Sequence, residues 1–179
     1  MTIVSTHRQL VRDQVVDLLK LGIPSLKGRV WAGRTWPLQE RETFGILVYG
    51  WEETKEARAG ASTLDAAYAV HCVMAVEIVC LEPSRQGVTV EDEMEFLAGE
   101  VCDLVMKSHL LLGADGSLER IGSVKTTLGI DTRTSEKAIG RALLAFGMHW
   151  SEAYDLPAPN ADSPCEDVQL AFAPATPLL

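Results

Sequence analysis

Residues 68 to 81 read YAVHCVMAVEIVCL, and this stretch decides the fold. It is rich in β-branched and aromatic residues and runs well past the strand average of about 5–6 residues, so it predicts one long β-strand. Tyr68, Cys72, Met74 and Val76 alternate with Val73, Ala75 and Val79. Successive strand residues point to opposite faces, so this strand offers apolar atoms on both and belongs at the centre of a sheet. Pro83 and Gly87 turn the chain out of it.

Upstream, Thr6 and Gln9 have the spacing of a helix-capping box. Leu10, Val11, Val15, Leu18 and Leu19 follow at helical spacing, and Gly22 and Pro24 end the helix. RVWAG at 29 to 33 predicts a short strand and FGILVY at 44 to 49 a buried one, with Pro37 and the polar run 39 to 43 between them. The segment 52 to 63, EETKEARAGAST, has no apolar period and predicts a mobile loop.

Downstream, a helix is expected from Thr89 to about Leu112, with Asp92 completing a capping box and Met94, Leu97, Val101, Leu104 and Val105 as its apolar face. Glu91, Asp92, Glu93 and Glu95 sit at its positive end and read as a solvated, dipole-favoured start; Lys107 and His109 sit near its negative end. After the turn GADGS at 113 to 117 come two strands, about 118 to 130 and 138 to 154, joined by DTRTS at 131 to 135. In the second, Leu144, Phe146, Met148 and Trp150 alternate toward the helices while Ala145 and Gly147 face away. Residues 155 to 179 hold five of the eight prolines and no Lys or Arg, and predict a Pro-rich acidic tail, partly disordered, after a domain at 1 to 154. The expected fold is α+β, a mixed and mainly antiparallel sheet with two main helices on one face. The other face then requires cover from another subunit or a loop.

A chain of 179 residues, 47% hydrophobic and 23% charged, can bury a single core. A net charge of −9 and a pI near 4.9 disfavour phosphate backbones and anionic membranes and point to protein partners. No secretory leader and no apolar run of about 20 residues stands out, so no membrane partner is expected. The cysteines, Cys72, Cys80, Cys102 and Cys165, form no C-x-x-C pair; Cys72 and Cys80 in an apolar run and Cys102 on an apolar helix face suit buried free thiols in a reducing compartment.

Chemical motifs are absent from the sequence. It contains no Gly-rich phosphate loop, no G-x-S-x-G elbow and no H-E-x-x-H helix. The four histidines lie in four different elements, and the acids at 91 to 95 lack the alternation of a calcium loop, so no catalytic residue, metal or cofactor is expected. His71 beside Cys72 is the most enzyme-like pair, but neighbours on a strand face opposite ways. Trp31, Trp36 and Trp51 accompany Arg29 and Arg34 around the first two strands, a composition enriched in protein interfaces. Arg29, Arg34, Trp36, Trp51 and Arg58 are therefore the candidate interface residues, with acids such as Glu52 and Glu91 as complementary charges. The acids at 52, 53 and 56 argue against a nucleic-acid stacking platform and against sequence-specific nucleic-acid binding.

The layout resembles the tail terminator, or minor tail protein U, family of long-tailed bacteriophages. The resemblance lies in LLKLGIP at 18 to 24, RVWAGRTWPL at 29 to 38, GILVYGWEE at 45 to 53, VHCVMAVEIV at 70 to 79, an acidic helix and AIGRALLAFGMHWSEAY at 138 to 154. It implies a non-enzymatic virion protein, assembled in the host cytoplasm, that forms a six-fold ring of its own copies on the tail-tube protein. Such a ring ends tube polymerisation and offers the surface that meets head-tail connector or neck proteins. Another neck or head-completion protein is the near alternative, and a small thiol-dependent enzyme using Cys72 or Cys102 the distant one.

Overall fold

The structure is a computed structural model that describes residues 6–26, 28–33, 44–58, 65–81, 83, 85–112, 117–131 and 139–155. Helix α1 is His7–Gly22, followed by a 3-10 turn at Pro24–Leu26 and strand β1, Val30–Ala32. Then come β2, Phe44–Ala57, β3, Asp65–Cys80, α2, Val90–Met106, and the single turn α3, His109–Leu112. Strands β4, Arg120–Asp131, and β5, Ile139–Asp155, close the fold. The sheet order is β1-β2-β3-β5-β4, with β1 parallel to β2 and the other pairs antiparallel. The architecture is α+β with β3 at the centre, as its apolar content on both faces requires.

Each expected helix start is present. Gln9 N–H donates to Thr6 Oγ1 at 3.4 Å while Thr6 N–H donates to Gln9 Oε1 at 2.8 Å. Thr89 and Asp92 repeat the arrangement on α2. The buried stripe of α1 is Val11, Val15, Val16 and Leu19, whereas Leu10 is 48% exposed. Leu10 is one residue, or about 100°, off that stripe, which turns it to the flank of the helix.

Three expectations are corrected. Residues 52 to 57 are not a loop: β2 continues through Ala57 and pairs with β3 out to Ala57↔Tyr68. Backbone pairing with a long central strand overrides the missing apolar period, and the side chains there are held by charge. Residues 59–63 of the same expected loop lie outside the described residues. The helix expected to reach Leu112 breaks after Met106, where Lys107 caps α2 and Ser108 Oγ accepts from Leu111 N–H at 3.4 Å to start α3. A serine hydroxyl competes with the helical ladder in this way. Glu93 is not solvated: it is 2% exposed, and Arg85 Nε donates to its carboxylate at 2.8 Å. The connection at 34–43, most of the GADGS and DTRTS turns, and the tail from 156 lie outside the described residues.

Both main helices cover one face of the sheet. Cys72, Met74, Val76 and Ile78 of β3 and Leu144, Phe146 and Met148 of β5 are buried in one cluster with Val15 and Leu19 of α1 and Met94, Leu97 and Val101 of α2. Close approach of α2 to β5 depends on Gly140. A Cβ there would lie 2.5 Å from Val90 Cγ1 and 2.8 Å from Met94 Cγ, atoms near the backbone that cannot swing away. Gly140→Ala is therefore expected to cost about 1–3 kcal/mol through overpacking, measured as a lower urea midpoint at unchanged slope.

Candidate interaction surface

The opposite face of the sheet, the outer face, is built from the residues one step off the core. On β3 these include His71, Val73, Ala75, Glu77 and Val79; their partners on β5 include Leu143, Ala145 and Gly147. Among the described residues no helix packs on this face, and it is still strongly apolar. Ala75 and Val79 are buried, while Val73, Leu143 and Ala145 are half-buried. The β2–β3 register shifts between Gly50 and Glu52, and the extra residue is Trp51. A bulge re-aims its side chain, and Trp51 stands 60% exposed beside this apolar strip. Trp51, Glu52, Val73, Lys125, Thr127, Leu143 and Ala145 line a shallow cleft of about 290 Å³. Its floor is apolar, with one acid and one base at the rim.

The five residues expected at an interface are placed differently from one another. Trp51 lies on the outer face, and Glu52, expected as a complementary acid, lines the same cleft. Arg58, just past β2, reaches Glu119 at the start of β4, with 3.1 Å between Nη2 and Oε1. Glu119 also accepts from Ser151 Oγ, and its carboxyl titrates below its ordinary value, first through that hydrogen bond and then through the Arg58 charge working against burial. Arg29 is committed to local structure: its Nε donates to Leu26 O at 3.1 Å and its guanidinium lies 3.9 Å from the Phe44 ring centre. Arg34 and Trp36 lie outside the described residues.

A second, polar site lies on the part of β2 whose sequence lacks an apolar period. Lys55 Nζ lies 2.5 Å from Glu152 Oε2, 2.6 Å from Tyr154 Oη and 3.5 Å from Glu53 Oε1. Trp150 Nε1 donates to the other Glu152 oxygen at 2.9 Å, and the Tyr154 hydroxyl donates to Glu152 as well. Arg8 of α1 reaches Glu53 at 3.8 Å, and His7 stacks on Trp150 with ring centres 5.0 Å apart. These groups surround a cleft of about 440 Å³ at the N-terminus of α1. Burial pushes Glu152 up, but the hydrogen bonds from Lys55, Tyr154 and Trp150 outweigh it and hold the carboxyl down at about 2. The same contacts with Glu152 and Tyr154 raise Lys55 above its ordinary value. Lys55 ties β2 to β5, Arg8 links α1 to the same group through Glu53, and a cation so fully engaged is not free to bind an anion. Acids fall on both parities of residues 52 to 56, so no alternation in the sequence marks Glu53 and Lys55 as one face.

Three of the four cysteines lie among the described residues. Cys72 and Cys80 are fully buried and Cys102 half-buried. Burial, aided by the Glu53 charge and opposed by Arg8, pushes the Cys72 thiol up to about 11, so it is protonated near neutral pH. His71 points to the outer face while Cys72 points to the core, so the two do not form a nucleophile–base pair. Among the described residues no three potential ligands converge on a metal position, and no helix is long and apolar enough to cross a membrane.

The Lys55–Glu152 tie gives a pH-dependent stability. A carboxyl held at about 2 contributes above its unfolded value near 4.5 and loses that contribution as the pH falls toward 2. Lys55, raised, contributes below its unfolded value near 10.5 and loses its share only as the pH climbs through the folded value. Glu152→Gln is expected to lose about 1–2 kcal/mol at pH 7 and to flatten the stability curve between about pH 4.5 and 2, measured by chemical denaturation across that range.

No family model matches the chain, and no curated protein matches it. Among solved structures it is similar to the sheath/tube terminator of PVC, an extracellular contractile injection system, in its extended state. That similarity covers 96% of this chain and 67% of the other, at 7% sequence identity and a TM-score of 0.32.

Proposed function

We propose that this protein is a structural assembly component that caps the end of a phage tail tube. Its copies close into a ring, six-fold to match the tube, that stops polymerisation and meets the connector or neck proteins of the head. The observation that carries this reading is the outer sheet face, where an exposed Trp51 borders an apolar strip running across β3 and β5. Large exposed aromatics beside apolar surface are typical anchors of protein interfaces. Strand β4 adds a second feature: it is 12 residues long, lies at the sheet edge and is mostly exposed. A head-to-tail contact between unlike surfaces of one chain, such as an edge strand and a face, closes into a ring when its rotation closes.

The acidic charge fits the same reading. Subunits carrying −9 repel one another in dilute solution, and a tube end that gathers them raises their local concentration enough to join. The sequence layout that resembles the tail-terminator family supplies the tube end as partner and the six-fold symmetry. Assembly in the host cytoplasm and residence in the virion tail belong to the same proposal. Catalysis plays no part in it: the Cys72 thiol is buried, protonated and turned away from His71. The thiol-enzyme alternative requires Cys72 or Cys102 for function, whereas a capping protein tolerates Cys72→Ala wherever it still folds.

Electron microscopy of the protein mixed with tail tubes tests the proposal directly. Rings at tube ends and tubes of limited length are expected, and bare ends that keep growing would overturn it. Trp51→Glu is expected to abolish capping while leaving the thermal midpoint nearly unchanged, because the side chain it replaces stands mostly in solvent. Unchanged capping by that variant would move the contact off the outer face.

A further inference from the structure

We infer that successive copies of this chain join edge to edge, with β4 of one copy pairing antiparallel with residues 50–57 of β2 of the next. The inference rests on the ring proposed above and names the contact that builds it. Both edges are open. Among the described residues β4 pairs only with β5, and β1 pairs with β2 only at Ile46, Leu47 and Val48. Residues 50–57 of β2 thus have β3 on one side and no strand on the other. An open edge is a row of backbone donors and acceptors ready for a further strand. Strands β2, β3, β5 and β4 alternate in direction. A copy repeated sideways, by rotation about an axis along the strands, therefore brings its β2 antiparallel to the β4 it meets.

The charges of the outer face are sorted toward these two edges. Glu52 and Glu56 stand on β2, and Arg120 and Lys125 stand on β4. All four are exposed, and among the described residues none makes an ion pair within its own subunit. Of the other charges on this face, Glu77 accepts from the Tyr49 hydroxyl at 3.4 Å, Arg141 stands one strand in from β4, and Asp131 closes the far end of β4. Pairing of like edges would set Arg120 and Lys125 against their own kind, or Glu52 and Glu56 against theirs. Like charges directly opposite on paired strands are unfavourable, so the sorting selects the unlike pair of edges. That makes the contact head-to-tail, the kind that repeats until it closes.

The spacing matches as well as the sign. The register partners of Arg120 and Lys125, His149 and Ala145, are four positions apart, and so are Ala69 and Val73, the partners of Glu56 and Glu52. Each pair of charges therefore spans about 13 Å along its strand. Antiparallel pairing sets Arg120 opposite Glu56 and Lys125 opposite Glu52 together, with Ser123 opposite Thr54 between them. Across one subunit Arg120 is level with Thr54, through His149 and His71. The joint thus slips two residues from a level continuation. A slip of two keeps all four side chains on one face, and a sheet that closes on itself requires such a stagger.

Two double variants test the joint: Arg120→Glu with Lys125→Glu, and Glu52→Lys with Glu56→Lys. Each alone sets like charges across every joint, whereas an alternating ring of the two restores unlike charges at all of them. The four side chains are exposed, so both variants should keep the thermal midpoint of the parent. On tail tubes followed by electron microscopy, each variant alone is expected to lose capping and an equal mixture to regain it. Without tubes, sedimentation at low salt should show the mixture associating and each variant alone staying single, with association weakening about tenfold or more as salt rises from about 0.05 to 0.5 M. Ser123→Cys added to the first variant and Thr54→Cys to the second should give a disulfide-linked pair under mild oxidation. Capping by either variant alone, or a mixture that neither caps nor cross-links, would overturn the joint while parent rings on tubes still upheld capping. Bare tube ends with the parent, beside a mixture that cross-links, would instead overturn capping and leave the joint standing.

Discussion

The pairing of β3 with β5 is the constraint on which the rest of the structure depends. All 16 residues of β3 take part, from Asp65↔Asp155 to Cys80↔Gly140, without a register shift. A side-chain period of two means that a slip by one residue would turn Phe146, Leu144 and Met148 out of the core and bring Arg141 and His149 into it. The burial of one apolar set against α1 and α2 therefore holds the register of every pair, including those on the face the helices do not touch. His71 meets His149, and Val73 meets Gly147, because Met74 and Phe146 must both point inward.

Flanking strands depart from this register, and the departures are where surface features arise. The shift between Gly50 and Glu52 on β2 exposes Trp51. The shift between Ile121 and Ser123 on β4 places Gly122 under His149. A bulge adds one residue and local twist without cost to the core when its partner strand is already held elsewhere. The unbroken β3–β5 ladder is that anchor, so the outer strands are free to carry features of the surface.

Charge is used in a similarly local way. Although the chain is strongly acidic, Lys55 draws Glu53, Glu152 and Tyr154 into one knot where α1, β2 and β5 meet. Arg85 reaches the buried Glu93 at the start of α2, and Arg58 reaches across to Glu119. Such pairs mostly satisfy groups that folding brings close, and their contribution to stability is modest beside that of the apolar cluster. Glu52 to Ala57 become strand through backbone pairing with β3, and the Lys55 contacts add only a local tie to β5.

Patterns of neighbouring residues determined the parts of this protein that local chemistry controls. The capping boxes at Thr6 and Thr89, the central strand around Val73, the alternation of Leu144 to Trp150 and the apolar residues on both faces of the central strand are all written at periods of two to four residues. Side chains at such spacings meet whatever the rest of the chain does. What only the tertiary structure decided are relations between residues far apart in sequence. The extension of β2 through Ala57, the Lys55–Glu152 tie across 97 positions and the stacking of His71 on His149 belong to this group. No local period encodes them, because each follows from the register of strands that the core, and not the neighbouring sequence, brings together.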